Sequence, residues 1–517
     1  MEENFMDLVR SAIESEQPNV SITENGAVGY KTTGTKLLDI NFQLSSMRNL
    51  GPEEIWDGFL GAYNENPVLA MVWLFFARDV RSGCGERRTF RIIFEHLCNE
   101  NPESAVKLLK LIPEYGRWDD VVEVAFGNVP CKVKDAANEL LKKQIQSDVL
   151  NLNVSAPVSL LAKWLPSLCT SSKESKRRAD VLRRYFGWTP KQYRKNVAAL
   201  RNHIKVVEQQ MSANKWGEIN YEAVPSRAAM NYRKAFAKHD PVGYESYLTN
   251  VKEGKAKINS GVLFPHDIVH AYDIRWSGKS VNSTLELQWK ALPNNVAPGH
   301  DTLVVVDGSG SMGRTIGSTN ITCFDVADAL GIYFAERLDG AYHNSFITFS
   351  NRPQFVRFAE GMSLHSKLKV LADHNDCSNT DIEKTFDLIL DVAVKNHLKQ
   401  EEIPANILIV SDMEFDALKN QGEWPNYHTM DQALFAGIRE RWEAAGYKVP
   451  RLVFWNVCST TKTIPVTTNE FGVALVSGFS PNVTDMVMSG KTDPYDVLVD
   501  KLMSDRYNPV REALRSE

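Results

Sequence analysis

Through the first 290 or so residues the apolar positions recur at helical spacing, in segments of ordinary length separated by Pro, Gly and Asn. Arg88 to Cys98, Ser104 to Leu111 and Asp135 to Leu150 read this way. The run Val68 to Ala77 is apolar throughout. It falls short of the ~18 residues of a membrane span, so it predicts a helix buried on every side. The clearest pattern follows Gly187-Trp188: Thr189 is an N-cap, Pro190 the first helical residue, and Tyr193, Val197, Leu200, Ile204, Val207 and Met211 form one apolar stripe. Lys191, Arg194, Lys195, Arg201 and Lys205 fall on the opposite face.

The texture changes after Ala291-Leu-Pro-Asn-Asn-Val-Ala-Pro-Gly-His300, a linker by composition. Thr302 to Val306, Ser345 to Phe349, Gln354 to Phe358, Ile407 to Val410, Leu452 to Val457 and Val473 to Val476 read as strands. Helices alternate with them near Cys323 to Leu338, Asp381 to Lys395, Thr429 to Ala445 and Asp493 to Met503, the last taken as the final helix. The predicted fold class is therefore α plus α/β. Residues 1–290 form an α-helical domain of HEAT-like helix pairs, although no repeat period stands out, 291–300 a linker, and 301–517 a doubly wound, mostly parallel α/β domain. Ligands of such sheets bind at the carboxyl ends of the strands, near a switch point.

Length and composition agree: 517 residues suit two domains, and 43% hydrophobic with 24% charged residues is ordinary for a globular protein. Met1-Glu2-Glu3 is acidic where a secretory signal is basic, and the seven cysteines are scattered without a CxxC pair. The expectation is a cytoplasmic protein with reduced thiols. Net charge is −5, yet residues 161–260 hold 20 Lys plus Arg against 8 Asp plus Glu. That basic block is a candidate anion-binding surface.

Chemistry concentrates after the first strand of the second domain. In Asp307-Gly308-Ser309-Gly310-Ser311 the polar residues alternate, so an extended loop aims one carboxylate and two hydroxyls at one point, and the glycines permit the tight turn. A hard dication takes such oxygen ligands, and Mg2+ keeps some of its waters. With few protein charges around it, the ion would stay open to an acidic group from outside. Alone, the motif is weak. Here it resembles the metal-ion-dependent adhesion site (MIDAS) of the von Willebrand A family, which continues with a Thr and an Asp. Thr380, in Cys377-Ser-Asn-Thr-Asp381, and Asp412, at the end of the strand Asn406 to Val410, match those positions. The resemblance implies that Ser309, Ser311 and Thr380 ligate directly, and that Asp307 and Asp412 act through water. The family commonly has Gly after the last Asp; here Met413 follows, with Glu414 and Asp416 near.

A helical domain followed by an A-type domain also resembles the Ro autoantigen and its TROVE relatives. Closer still is an uncharacterised family of eukaryotes, bacteria and large viruses, on Arg78-Asp-Val-Arg-Ser-Gly-Cys-Gly-Glu-Arg87, Pro113-Glu-Tyr-Gly-Arg-Trp-Asp-Asp120, Val410-Ser-Asp-Met-Glu-Phe-Asp416 and Leu475-Val-Ser-Gly-Phe-Ser-Pro481. The Ro resemblance implies binding of structured or misfolded RNA. The candidate nucleic-acid residues are Arg177, Arg178, Arg183, Arg184, Lys191, Arg194 and Lys195, with Tyr185, Trp188 and Tyr193 interleaved as possible stacking groups.

Other motifs lead away from catalysis. His266-Asp-Ile-Val-His270 has Asp where zinc proteases have Glu, and no third ligand. Gly490-Lys491-Thr492 and Gly278-Lys279-Ser280 lack the first glycine of a P-loop. Cys84 has no neighbouring His, and Arg78, Asp79, Arg81, Glu86 and Arg87 read as a polar network joining helices. No set amounts to a nucleophile, base and oxyanion hole. The expected function is a non-enzymatic RNA-binding or ribonucleoprotein scaffold with a Mg2+-dependent A-type domain. The alternative is a purely protein-binding module whose cation captures a partner carboxylate.

Overall fold

The computed structural model describes residues 19–272, 280–299, 301–349, 353–374, 382–416, 430, 434–466, 473–489, 491 and 493–515. The chain divides into two compact units, both discontinuous in sequence. One comprises Met1–Asn49, Val296–Phe479 and Thr484–Leu498; the other comprises Leu50–Asn295, Ser480–Val483 and Val499–Glu517. These differ from the continuous segments 1–290 and 301–517, because side chains at each end of the chain pack with the unit more distant in sequence.

In the helical unit, Pro67–Arg78 is the central helix, buried from Ala70 to Arg78. Its apolar residues leave no polar face to turn to water. Asn66 caps it, accepting the Leu69 N–H at 3.0 Å, with Pro67 at the first position. Pro52–Glu65 and Arg87–Glu100 pack beside it, and so does Asn508–Arg515. That last helix lies beyond the one expected to be final. Arg78 and Asp79 are buried and paired. Arg78 donates to Asp120 at 2.7 Å, and Arg506 donates to Asp79 at 2.8 Å. The network read from the sequence therefore joins helices. No helix among the described residues is long and apolar enough to cross a membrane.

Helix Pro190–His203 begins as expected: Thr189 accepts the Gln192 N–H at 3.2 Å and Gln192 accepts the Thr189 N–H at 2.8 Å. The apolar stripe to Met211 does not stay on one helix. Lys205 takes φ 50°, and the bonds Lys205 N–H to Asn202 and Val206 N–H to Arg201 close a Schellman motif. A separate helix, Val207–Ser212, carries the rest.

The other unit opens with a two-stranded hairpin, β1 (Ser21–Ile22) and β2 (Val28–Gly29). Its sheet contains β3 (Thr302–Asp307), β4 (Ser345–Phe349), β5 (Gln354–Arg357), β6 (Asn406–Ser411), β7 (Arg451–Asn456) and β8 (Ala474–Ser477). The order is β5-β4-β3-β6-β7-β8, parallel except for the edge pair β4 and β5. β3 and β6 are apolar and buried along most of their length, as strands covered on both faces must be. Helix Cys323–Arg337 lies so close to β3 that a Cβ on Gly331 would meet Val306 at 2.6 Å. From β3 the chain builds outward through β4 and β5, then returns to add β6 on the other side. The switch point lies between β3 and β6, and Asp307 and Asp412 stand at their carboxyl ends.

Candidate metal centre and basic helix face

The loop after β3 is shaped by its first residue. Asp307 Oδ1 accepts the Ser309 N–H at 2.8 Å, turning the backbone so that the Ser309 and Ser311 hydroxyls lie 3.0 Å apart. Its Oδ2 accepts the hydroxyl of Ser411, the last residue of β6, at 2.5 Å. Ser411 thereby joins the two strand ends. Asp412 Oδ1 accepts the Glu414 N–H at 3.2 Å, and Oδ2 accepts from Arg314 Nη2 at 2.8 Å. Asp307, Ser309 and Asp412 are buried and Ser311 half-buried. Four of the five expected ligands thus come to one sheet edge; Thr380 lies outside the described residues.

Burial pushes the Asp307 carboxyl above its usual range, against the hydrogen bonds from Ser411 and Ser309. Asp412 is raised by burial and by the charge of Asp307, with Arg314 opposing. Among the described residues, Arg314 is the one cation hydrogen-bonded to either carboxylate. Two buried carboxylates, one of them accepting a single guanidinium hydrogen bond and the other none, make a site short of positive charge, and its carboxylate and hydroxyl oxygens suit a hard dication. No group of three or more His, Cys, Asp or Glu gathers among the described residues, so the serine hydroxyls would be needed to complete the ligand set.

Met413, where the resembled family has Gly, takes the left-handed conformation with φ 65° and is buried. Its N–H donates to Ser411 Oγ at 2.9 Å. Glu414 is also buried, and its carboxylate is engaged elsewhere. It accepts from Ser459 Oγ at 3.0 Å and from the N–H groups of Thr460 and Thr461 at 2.7 and 3.1 Å, while Oε2 accepts the Glu24 N–H at 2.8 Å. Glu414 is therefore a tie between the strand end, the loop after β7 and the β1–β2 hairpin. The tip of that hairpin also carries a carboxylate to the site: Arg314 Nη1 donates to both oxygens of Glu24 at 3.1 Å. The surroundings are thus more charged than the sequence suggested. Arg314 and Ser411 were within reach of sequence reasoning, being next to the matched motifs. Glu24, 290 residues from Arg314, gives no such signal.

The structure separates the seven basic candidates into two groups. Arg177 pairs with Glu174 at 2.7 Å, Arg178 with Glu174 and Glu123 at 2.9 and 3.1 Å, and Arg183 with Asp180 at 2.6 Å; Arg184 also pairs with Asp180. These four are largely neutralised within Lys173–Tyr185 and its neighbour. Lys191, Arg194 and Lys195 stand exposed on Pro190–His203, with no acidic partner among the described residues. Arg201 is not a free surface cation, since it donates to the Ala162 and Leu165 carbonyls at 2.8 and 2.7 Å. The aromatics are not open stacking platforms. Tyr193 is buried and donates to the Pro166 carbonyl at 2.7 Å, and Trp188 packs edge-on against Phe186. Tyr185 is half-buried, beneath Lys142.

The remaining motifs are structural where they are described. Asp267 pairs with Arg227 at 2.7 Å and accepts the Phe264 N–H at 3.0 Å, and Cys84 is buried. Gly278, Lys279, Gly490 and Thr492 lie outside the described residues.

Two family models match the chain, each over less than half of it: Domain of unknown function (DUF7788) over residues 301–508, and Domain of unknown function (DUF2828) over 131–298. An uncharacterized protein of Acanthamoeba polyphaga mimivirus is 29% identical over 533 aligned residues, covering 95% of this chain and 89% of that protein. The crystal structure of the Deinococcus radiodurans RO (RSR) protein is similar at a TM-score of 0.36 and 13% identity, covering 94% of this chain and 96% of that one.

Proposed function

We propose that this chain is a non-enzymatic binding scaffold whose sheet unit is a von Willebrand A-type module with a MIDAS. Asp307, Ser309, Ser311 and Asp412, joined by Thr380, would hold one divalent cation, Mg2+ by the oxygen donor set. The bound ion supplies a Lewis-acidic position for a carboxylate oxygen of a partner protein. The chain's own residues do the rest: the Asx turn at Asp307 orients both serine hydroxyls, and Ser411 fixes the spacing of the strand ends. The observation that carries this reading is the burial of Asp307 and Asp412 at the switch point, where among the described residues one guanidinium bonds Asp412 and none bonds Asp307. Glu414 supports it, because its carboxylate is saturated by other donors and does not fill the site.

Calorimetric titration of Mg2+ into chelator-treated protein tests it. One binding event is expected, lost in Asp307→Ala, with partner capture lost in EDTA. Absence of saturable binding, or capture that survives chelation, removes the proposal.

RNA binding is a second reading, favoured by the exposed Lys191, Arg194 and Lys195, which have no acidic partner among the described residues. It calls on three cations where the sequence offered seven.

A further inference from the structure

Arg314 touches two carboxylates belonging to distant parts of the chain. Nη2 donates to buried Asp412 at 2.8 Å, and Nη1 to Glu24, on the tip of the β1–β2 hairpin, at 3.1 Å. Glu24 has 43% of its side chain exposed; Arg314 has 25%. The hairpin is anchored beside it, with Thr23 Oγ1 donating to the Phe415 carbonyl at 2.6 Å and Asn25 to the Glu414 carbonyl at 2.6 Å. The Arg314 backbone is fixed as well, its carbonyl accepting the Cys323 N–H at 3.0 Å. Its Nε is buried with no hydrogen-bond partner among the described residues, so the guanidinium is held at its tips and not along its stem.

We propose that Arg314 is the resident counter-cation of the metal centre, competing with the divalent ion for Asp412, and that the hairpin sets the balance by drawing part of the guanidinium's charge to Glu24. The inference rests on the MIDAS reading above and adds its regulation. A guanidinium and a dication cannot both approach one buried carboxylate oxygen without strong repulsion, since charge interactions grow as the dielectric falls. With Glu24 in place, Arg314 is shared between two carboxylates and its hold on Asp412 is weakened. A partner that takes Glu24, or lifts the hairpin, returns the full charge to Asp412 and disfavours the ion. The hairpin is thus a lever on the cation affinity of a site 290 residues away in sequence.

The test is Mg2+ affinity, by calorimetry on the full chain, in a double-mutant cycle. Arg314→Gln is expected to tighten Mg2+ about tenfold, and Glu24→Gln to weaken it about twofold to threefold. In the Arg314→Gln background, Glu24→Gln should change affinity less than about 1.5-fold, because Glu24 acts through Arg314. Unchanged or weaker binding in Arg314→Gln overturns the inference while leaving the metal reading in place. An equal Glu24→Gln effect in both backgrounds overturns it too, since the effect would then be the field of Glu24 alone. If wild type binds no Mg2+ but Arg314→Gln does, the counter-cation role stands and the native metal reading falls. If neither binds, both fall. Should Arg314→Gln fail to fold without metal, Arg314→Met takes its place in the cycle: a Glu24→Gln effect below about 1.5-fold in that background supports the lever, and an equal effect in both backgrounds ends it.

Discussion

Met413 holds a left-handed backbone, φ 65°, with its side chain buried, at the position where Gly would be at ease. Two effects oppose each other in Met413→Gly. Relief of the left-handed conformation is worth about 1–2 kcal/mol. Removing a buried Met side chain costs about 2–5 kcal/mol, including the cavity left behind. The second wins, so Met413→Gly should destabilise the sheet unit by about 1–3 kcal/mol, read from the urea midpoint. A gain in stability would mean that the side chain contributes little packing. Met413 also shows how much of the site was legible in the sequence. Asp307, Ser309, Ser311 and Asp412 stood out because alternation after a buried strand is a local pattern. Their neighbour Glu414 looked like spare negative charge, and only its donors in two separate loops reveal it as a tie.

At the scale of elements, the β3, β4, β6, β7 and β8 positions were readable because the buried strands of such a sheet are short apolar runs bounded by turns. The hairpin β1–β2 was not, since two-residue strands leave no periodicity. Helix Pro190–His203 was legible at its start, where capping residues are diagnostic, and not at its end, where a Lys takes the conformation usually reserved for Gly. The basic face shrinks for a related reason: charge counts do not reveal which arginines meet Glu174, Glu123 and Asp180 on the same or adjacent helices. Three free cations on Pro190–His203 imply a modest electrostatic footprint. For single-stranded RNA, the slope of log affinity against log salt should be about −2. Lys191→Ala/Arg194→Ala/Lys195→Ala should abolish binding in a filter assay, and Arg183→Ala/Arg184→Ala should leave it nearly intact. The reverse pattern would place the interface on Lys173–Tyr185 and remove this face from the reading.

For the whole molecule, the division into units turns on residues far apart in sequence. Arg506 pairs with buried Asp79 at 2.8 Å and with Glu114 at 2.7 Å, and lies over the Tyr115 ring at 4.6 Å. Tyr507 stacks on Tyr115 with ring centroids 5.7 Å apart. Removing one partner of a buried ion pair strands the other, so Arg506→Ala should destabilise the helical unit by about 2–4 kcal/mol, less than the full figure because Arg506 is partly exposed. Arg506→Lys should recover only part of that loss, because it lacks the planar fork. Denaturation monitored by tryptophan fluorescence checks both; equal stability of wild type and Arg506→Ala would show that Asp79 is satisfied without it.

Because each unit is assembled from stretches on both sides of the other, synthesis on the ribosome imposes an order. Residues 19–49 emerge early yet must wait for the strands that follow residue 300, roughly 250 residues later, or about 12–50 s at ordinary elongation rates. The helical bundle, nearly complete by then, still lacks the Arg506 that neutralises Asp79. Cutting the gene at residue 300 would therefore yield two fragments, each missing a segment made by the other.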